Sequence, residues 1–220
     1  MRINLSYNEV AGRSVERLAA LSDGIFGVAM TLLLLELHVP AREAVQNEHD
    51  LARFLLHIAP QLLVYLLSFM TLGIFWVGQQ VQLGNLVSSD RHLTWIHLAF
   101  LFAVTIMPFS TELLAEFIHF RTALVVYWLN ILLLGMLIHV SWGRALKTGL
   151  VKPEFTHDKV QSVCHRVLVA QALYAFGAIL CLVNTFVSIM FIIIVQLNFV
   201  LAPSFRSRAP PPSGAAATPE

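Results

Sequence analysis

Read for polarity alone, the chain is a series of long apolar runs separated by short polar stretches. Crossing a bilayer as a helix takes about 20 predominantly apolar residues, and four runs reach that class: 21–38, 54–77, 92–115 and 123–142. A fifth apolar block, 166–201, is too long for one span and suits two short ones. Asn184-Thr185 is its best turning point, which predicts helices over 167–182 and 186–202. The pattern therefore predicts an all-α integral membrane protein with six transmembrane helices.

Local signals set the expected boundaries. Ser14 precedes Val15-Glu16-Arg17 as an N-cap, and Pro40 stops the first helix. Residues 41–53 read as an acidic loop carrying Glu43, Glu48 and Asp50. Pro60 is expected near the first turns of the second helix, where proline is tolerated best. Residues 78–91 read as a polar connector, Pro108 as a bend in the third helix, and 143–165 as the longest polar loop. The stretch 203–220, with Pro210-Pro211-Pro212 and small residues, cannot bury a core and reads as a disordered tail. The expected organisation is an N-terminal segment over 1–20, a membrane domain over 21–202 and the tail over 203–220, both terminal pieces cytoplasmic.

Composition agrees with the pattern. Of 220 residues 57% are hydrophobic and 12% charged, with a mean hydropathy of +0.73; soluble domains carry about 25% charged residues. A net charge of +1 excludes a nucleic-acid role built on a basic surface, but it conceals an asymmetry. With the N-terminus inside, the inner segments hold Arg2, Arg13, Arg17, Arg91, Arg144, Lys147, Lys152, Lys159, Arg166, Arg206 and Arg208. The outer loops hold only Arg42, Arg53 and Arg121. That excess places both termini in the cytoplasm. Cys164 and Cys181, the only cysteines, suggest neither a disulfide framework nor a metal site.

Enzyme signatures are missing: no nucleophile elbow, no phosphate loop and no paired His-Glu motif. His57, His97, His119 and His139 fall singly in or near different helices, without the spacing that puts two ligands on one helix face. They read as interfacial or hydrogen-bonded side chains, and no cofactor is expected.

The first run carries the more particular chemistry. Ser22 and Asp23 sit where it turns apolar, and an acid at that depth costs a few kcal/mol unless it is partnered. Arg17 and Asp23 lie about 240° apart on a helix, so each must find partners on another helix or subunit. Gln79, Gln80, His92 and Trp95 fall at the same level as candidates. Val28, Thr31 and Leu35 share a face with Gly24. In a monomer that face is ordinary helix packing; in a symmetric oligomer it would line an axis. Glu36 stands at the edge of the same face, at the outer end.

Arg17, Ser22-Asp23, the apolar run with Thr31 and the closing Leu35-Glu36-Leu37 resemble the first membrane helix of the lysosomal potassium channel family (transmembrane protein 175), its half-length prokaryotic members in particular. The resemblance continues through Pro60-Gln61-Leu62-Leu63, Ser68-Phe69 and Trp76, and returns in Trp95-Ile96-His97 and Met107-Pro108-Phe109-Ser110-Thr111. Leu21 replaces the usual Phe, Gln79-Gln80 stand where a His pair is common, and His97 stands for Asn. The resemblance implies a homotetramer in a prokaryotic plasma membrane whose first helices line a pore. It implies Val28 as the constriction, Thr31 as a hydroxyl layer, Leu35 one turn beyond, and Arg17, Ser22 and Asp23 as a brace for the pore helix. Glu36 would draw cations to the outer mouth. Potassium would be the permeant ion, with modest preference over sodium, because no Thr-Val-Gly-Tyr-Gly loop is present to build a carbonyl cage. The competing readings are a haem-binding electron-transfer protein, with histidines on facing helices, and a proton- or cation-coupled transporter.

Overall fold

The structure, a computed structural model, describes residues 14–35, 37 and 39–201, all but the side chain of His157. Glu36, residues 1–13 and the predicted tail lie outside the described residues. Six α-helices follow one another: α1 (Val15–Leu35), α2 (Glu48–Gly84), α3 (Arg91–Glu116), α4 (Arg121–Lys147), α5 (His157–Ile179) and α6 (Thr185–Leu201). Five are long and apolar enough to cross a membrane; α6, at 17 residues, is shorter and equally apolar. The architecture is that of an all-α membrane protein.

The helices start where the sequence supplies caps. Ser14 Oγ accepts the Arg17 N–H at 3.3 Å, opening α1 as its spacing predicts. Asn47 accepts the Asp50 N–H at 3.0 Å, and Asp90 accepts the Leu93 N–H at 2.7 Å, opening α2 and α3. Helix α4 closes on Gly149, whose φ of 66° lets Leu150 N–H reach back to Ala145 at 3.0 Å and Gly149 N–H to Leu146 at 3.2 Å. At the α5–α6 turn, Asn184 Oδ1 accepts the Phe186 N–H at 2.8 Å, the turning point expected there.

The polar connectors proved shorter than expected. Helix α2 runs 37 residues, about 55 Å, well beyond the hydrocarbon thickness. It absorbs residues 48–53 of the predicted acidic loop and 78–84 of the predicted connector, so Pro60 lies inside the helix rather than in its first turns. Helices α4 and α5 likewise consume most of the predicted 143–165 loop. The physical reason is that water-exposed helix ends carry polar residues, and a hydropathy window reads only the apolar middle. Lys152 holds the C-terminal end of α2 by donating from Nζ to the Gly84 carbonyl at 2.7 Å. Arg144 on α4 forms an ion pair with Asp90 at 2.5 Å, joining the α2–α3 turn to the end of α4.

Helices α2, α3 and α4 form the centre. Helix α1 packs against α2 and α3 on one side, while α5 and α6 close the other. Between them runs a buried hydroxyl chain. Thr111 donates to Ser68 (2.8 Å), Ser68 to Tyr127 (3.2 Å), and Gln196 to Thr71 (2.6 Å), which itself meets Tyr127 at 3.2 Å. In lipid every such group needs an internal partner, so this chain ties four helices together. Pro108 breaks the α3 ladder beside Asn130 of α4. With its amide turned to satisfy both neighbours, Asn130 donates to the Ala103 carbonyl at 3.1 Å and accepts from the Met107 N–H at 3.2 Å, bridging the opened turn.

Candidate functional site: the bare face of the first helix

Helix α1 has two unlike faces. Leu18, Ser22, Phe26, Ala29 and Leu33 are buried against α2 and α3, a stripe at the spacing of one helix face. On the opposite side Val28 is 59% exposed, Leu35 is 71% exposed, and Thr31 is exposed with them. Gly24, one turn before Val28, has no atom within 4 Å of where a Cβ would stand. An apolar groove of 380 Å³ flanks this face, lined among others by Leu21, Gly24, Val28, Leu32 and, from α3, Thr105 and Pro108.

Thr31 donates its hydroxyl proton to the Val28 carbonyl at 2.8 Å. This back-bond does not turn the side chain inward. It uses the only proton of the hydroxyl and leaves oxygen lone pairs on the exposed side, the arrangement in which a hydroxyl can only accept from or coordinate what approaches.

Behind the bare face sits a polar lock. Ser22 is fully buried; its Oγ bonds to the Leu18 carbonyl (2.8 Å), to His97 Nε2 on α3 (2.8 Å) and to Gln79 Nε2 on α2 (2.6 Å). Gln79 Nε2 also lies 3.1 Å from His97 Nε2, closing a triangle across three helices. One step along, the Asp23 carboxylate accepts from Trp76 Nε1 at 2.9 Å and from Gln80 Nε2 at 2.6 Å. Trp76, Gln79, Gln80 and His97 thus hold α1 through Ser22 and Asp23.

Two of the expected partners are not at this site. His92 lies beside Arg144 at 3.4 Å, at the start of α3 and below the lock. Trp95, two residues and so about 200° from His97, is 63% exposed on another face. Trp76 was the missed partner. Its signal was available, since α2 places it three residues before Gln79 and four before Gln80, on one helix face. Arg17 is exposed on the same side of α1 as Val28 and Leu35, and its side chain has no hydrogen-bond partner among the described residues. Outside the lock, Asp90 is the one site-level acid with a defined charge environment. Burial would raise its carboxyl, but the Arg144 hydrogen bond, the Leu93 N–H and the Arg144 charge outweigh it and hold it below its ordinary 3.8.

The family model described as endosomal/lysosomal potassium channel TMEM175 matches residues 17–108, from Arg17 through the lock to the α3 bend. A potassium channel of Chamaesiphon minutus is 27% identical over 189 residues, covering 84% of this chain and 93% of the relative. A potassium channel of Streptomyces collinus is 30% identical over 137 residues, covering 60% and 65%. The crystal structure of a lysosomal potassium-selective channel TMEM175 homologue from Chamaesiphon minutus superposes with a TM-score of 0.74 at 26% identity, covering 86% of this chain and 97% of that one. Along most of its length the chain is similar to these TMEM175 channels. The segment matched by the family model takes in every residue of the lock and of the bare face up to Leu35.

Proposed function

We propose that this TMEM175-like chain forms a potassium-permeable cation channel in which the bare face of α1 from each subunit lines the pore. The observation that carries the reading is the exposed stripe of Val28, Thr31 and Leu35, set opposite the only buried face of α1. The lock behind this face supports the reading, because it ties the opposite side of α1 to α2 and α3 and leaves Val28, Thr31 and Leu35 turned away from the subunit's own core.

Four subunits around one axis bring four Val28 side chains together as a dewetting constriction and four Thr31 hydroxyls as a ring of oxygen ligands. The flanking groove supplies an apolar seat for the α1 of a neighbouring subunit, with Gly24 allowing close approach. Such a ring replaces only part of a cation's hydration, and potassium yields its water more cheaply than sodium, so the preference for potassium is modest. Arg17, Ser22 and Asp23 brace the pore helix at its inner end, and Glu36 raises cation concentration at the outer mouth. Both termini lie in the cytoplasm of a prokaryotic cell, on the charge asymmetry of the loops, and the protein spans its plasma membrane. Potassium passes as the permeant ion with no bound cofactor. The histidine best placed between helices, His97, is already engaged by Ser22 and Gln79.

Planar-bilayer recording of purified protein under a potassium–sodium gradient tests this directly. Discrete currents with a reversal potential displaced toward that of potassium are expected. Saturable, coupled flux without channel openings would replace the reading with a transporter, and a Soret band in the purified protein would replace it with a haem protein.

A further inference from the structure

A second candidate site lies at the opposite end of the bundle from the polar lock. There the turn between α3 and α4 meets the turn between α5 and α6. A cavity of 220 Å³ opens between them, lined by His119, Arg121, Cys181, Asn184, Thr185 and Phe186. Two helices begin at its wall: α4 at Arg121 and α6 at Thr185. The first N–H groups of a helix have no intrahelical partners and carry the positive end of its dipole. At α4 they are not capped, because the residue in the N-cap position is Phe120, whose side chain offers no acceptor.

The side chains add charge and an orphan. Arg121 is exposed and makes no ion pair among the described residues; the ion pair found there, Asp90–Arg144, is at the other end of the bundle. Glu116, the nearest acid in sequence, does not reach it. The His119 ring is fixed edge-on to Phe186 at 5.5 Å, which anchors the imidazole at the cavity wall. Thr185 is only 7% exposed, yet its hydroxyl has no hydrogen-bond partner among the described residues and it lines the cavity. The α6 N-terminus is capped by Asn184 Oδ1, so what remains is an unpartnered hydroxyl opening to the cavity beside an unpaired guanidinium and the uncapped N-terminus of α4, a set of donors suited to an anion.

We propose that this cavity binds a phosphate-class oxyanion, gripped by Arg121 and the Thr185 hydroxyl at the uncapped N-terminus of α4. Arg121 supplies a forked, charge-assisted contact, Thr185 a single donor, and the α4 N–H groups the remaining donors. The oxyanion either belongs to a lipid headgroup, since the cavity sits at the level where helices leave the membrane, or is free in solution. The site lies away from the bare face of α1 and does not depend on the chain being a channel.

The test uses the full-length protein, delipidated in detergent, with Arg121→Gln, Thr185→Val and, as a control on the same end, Arg53→Gln. One arm measures retention of phosphatidylglycerol against phosphatidylcholine by native mass spectrometry; the other measures the rise in melting temperature with inorganic phosphate. Arg121→Gln is expected to weaken binding about tenfold, the loss of one charge-assisted hydrogen bond, with Thr185→Val weaker in effect and Arg53→Gln silent. Loss in the lipid arm alone assigns the headgroup, and loss in the phosphate arm alone assigns the free ion. Arg121 is exposed, so Arg121→Gln should melt like wild type without ligand, keeping the comparison valid. No preferential binding by wild type in either arm, or equal binding by Arg121→Gln, overturns the proposal.

Discussion

The two faces of α1 are built on opposite rules. Its inner face buries Ser22 in three hydrogen bonds and Phe26, Ala29 and Leu33 in apolar packing. Its outer face leaves Val28, Thr31 and Leu35 bare, with a hydroxyl whose proton is spent on its own backbone. The difference teaches where each kind of constraint is placed. Polar contacts to neighbouring helices gather at one level of the buried face, whereas the opposite surface has no hydrogen-bond partner on other helices among the described residues.

The strongest way to break that contrast is to remove the lock. Ser22→Ala removes the hydroxyl without adding volume and leaves Gln79 and His97 facing a methyl group in a buried site. The expected cost is about 2 kcal/mol, read as a lowered melting temperature in detergent. A Ser22→Ala protein as stable as wild type would show that packing alone orients α1. Asp23 should matter less, because its partners are partly exposed. Asp23→Ala, which strands Trp76 and Gln80, is expected to cost about 1 kcal/mol, with Asp23→Asn intermediate. Equal oligomer stability in gel filtration for wild type and both variants would reduce Asp23 to a helix-end residue.

The Asp90–Arg144 ion pair sharpens the comparison through pH. The Asp90 carboxyl is held below its ordinary 3.8 in the folded state, so its stabilising contribution is complete above that value and is lost as pH falls through the depressed folded value. The melting-temperature gap between wild type and Asp90→Asn should therefore be widest near neutrality and close in acid. A gap independent of pH would mean that Asp90 acts only as the cap of α3. The smallest energy belongs to Thr31. Thr31→Val deletes the hydroxyl at constant shape and should move the reversal potential toward non-selectivity, while Thr31→Ser should stay near wild type. If Thr31→Val left the potassium-to-sodium ratio untouched, selectivity would reside elsewhere.

Much of this was legible before any coordinates. Apolar runs separated by caps predicted six helices, and Ser14 and Asn184 announced a start and a turn. The Val28, Thr31, Leu35 stripe followed from helical period alone. Helix ends did not, because α2 continues through polar residues such as Glu48, Gln79 and Gln82, whose polarity mimics loop. Nor did the pairings: Trp76 with Asp23, Gln79 with Ser22, or Asn130 with the α3 bend each join residues from different helices. Periodicity assigns a residue to a face but not to the face opposite. The hydroxyl chain through Ser68, Thr71, Thr111 and Tyr127 was missed for that reason, although hydroxyls recurring within apolar helices were its signal.

Single-channel conductance of Val28→Asn beside Leu34→Asn tests most directly whether the bare face of α1 lines the ion path. Both positions are exposed, Leu34 by 61%, but Leu34 stands about 120° from Val28 around the helix. A polar side chain at a dewetting constriction lowers the barrier to ions. Val28→Asn is therefore expected to raise conductance while Leu34→Asn leaves it unchanged. Wild-type conductance in Val28→Asn, with the protein folded and assembled, would contradict a constriction at Val28, and an increase in Leu34→Asn alone would turn a different face of α1 toward the pore.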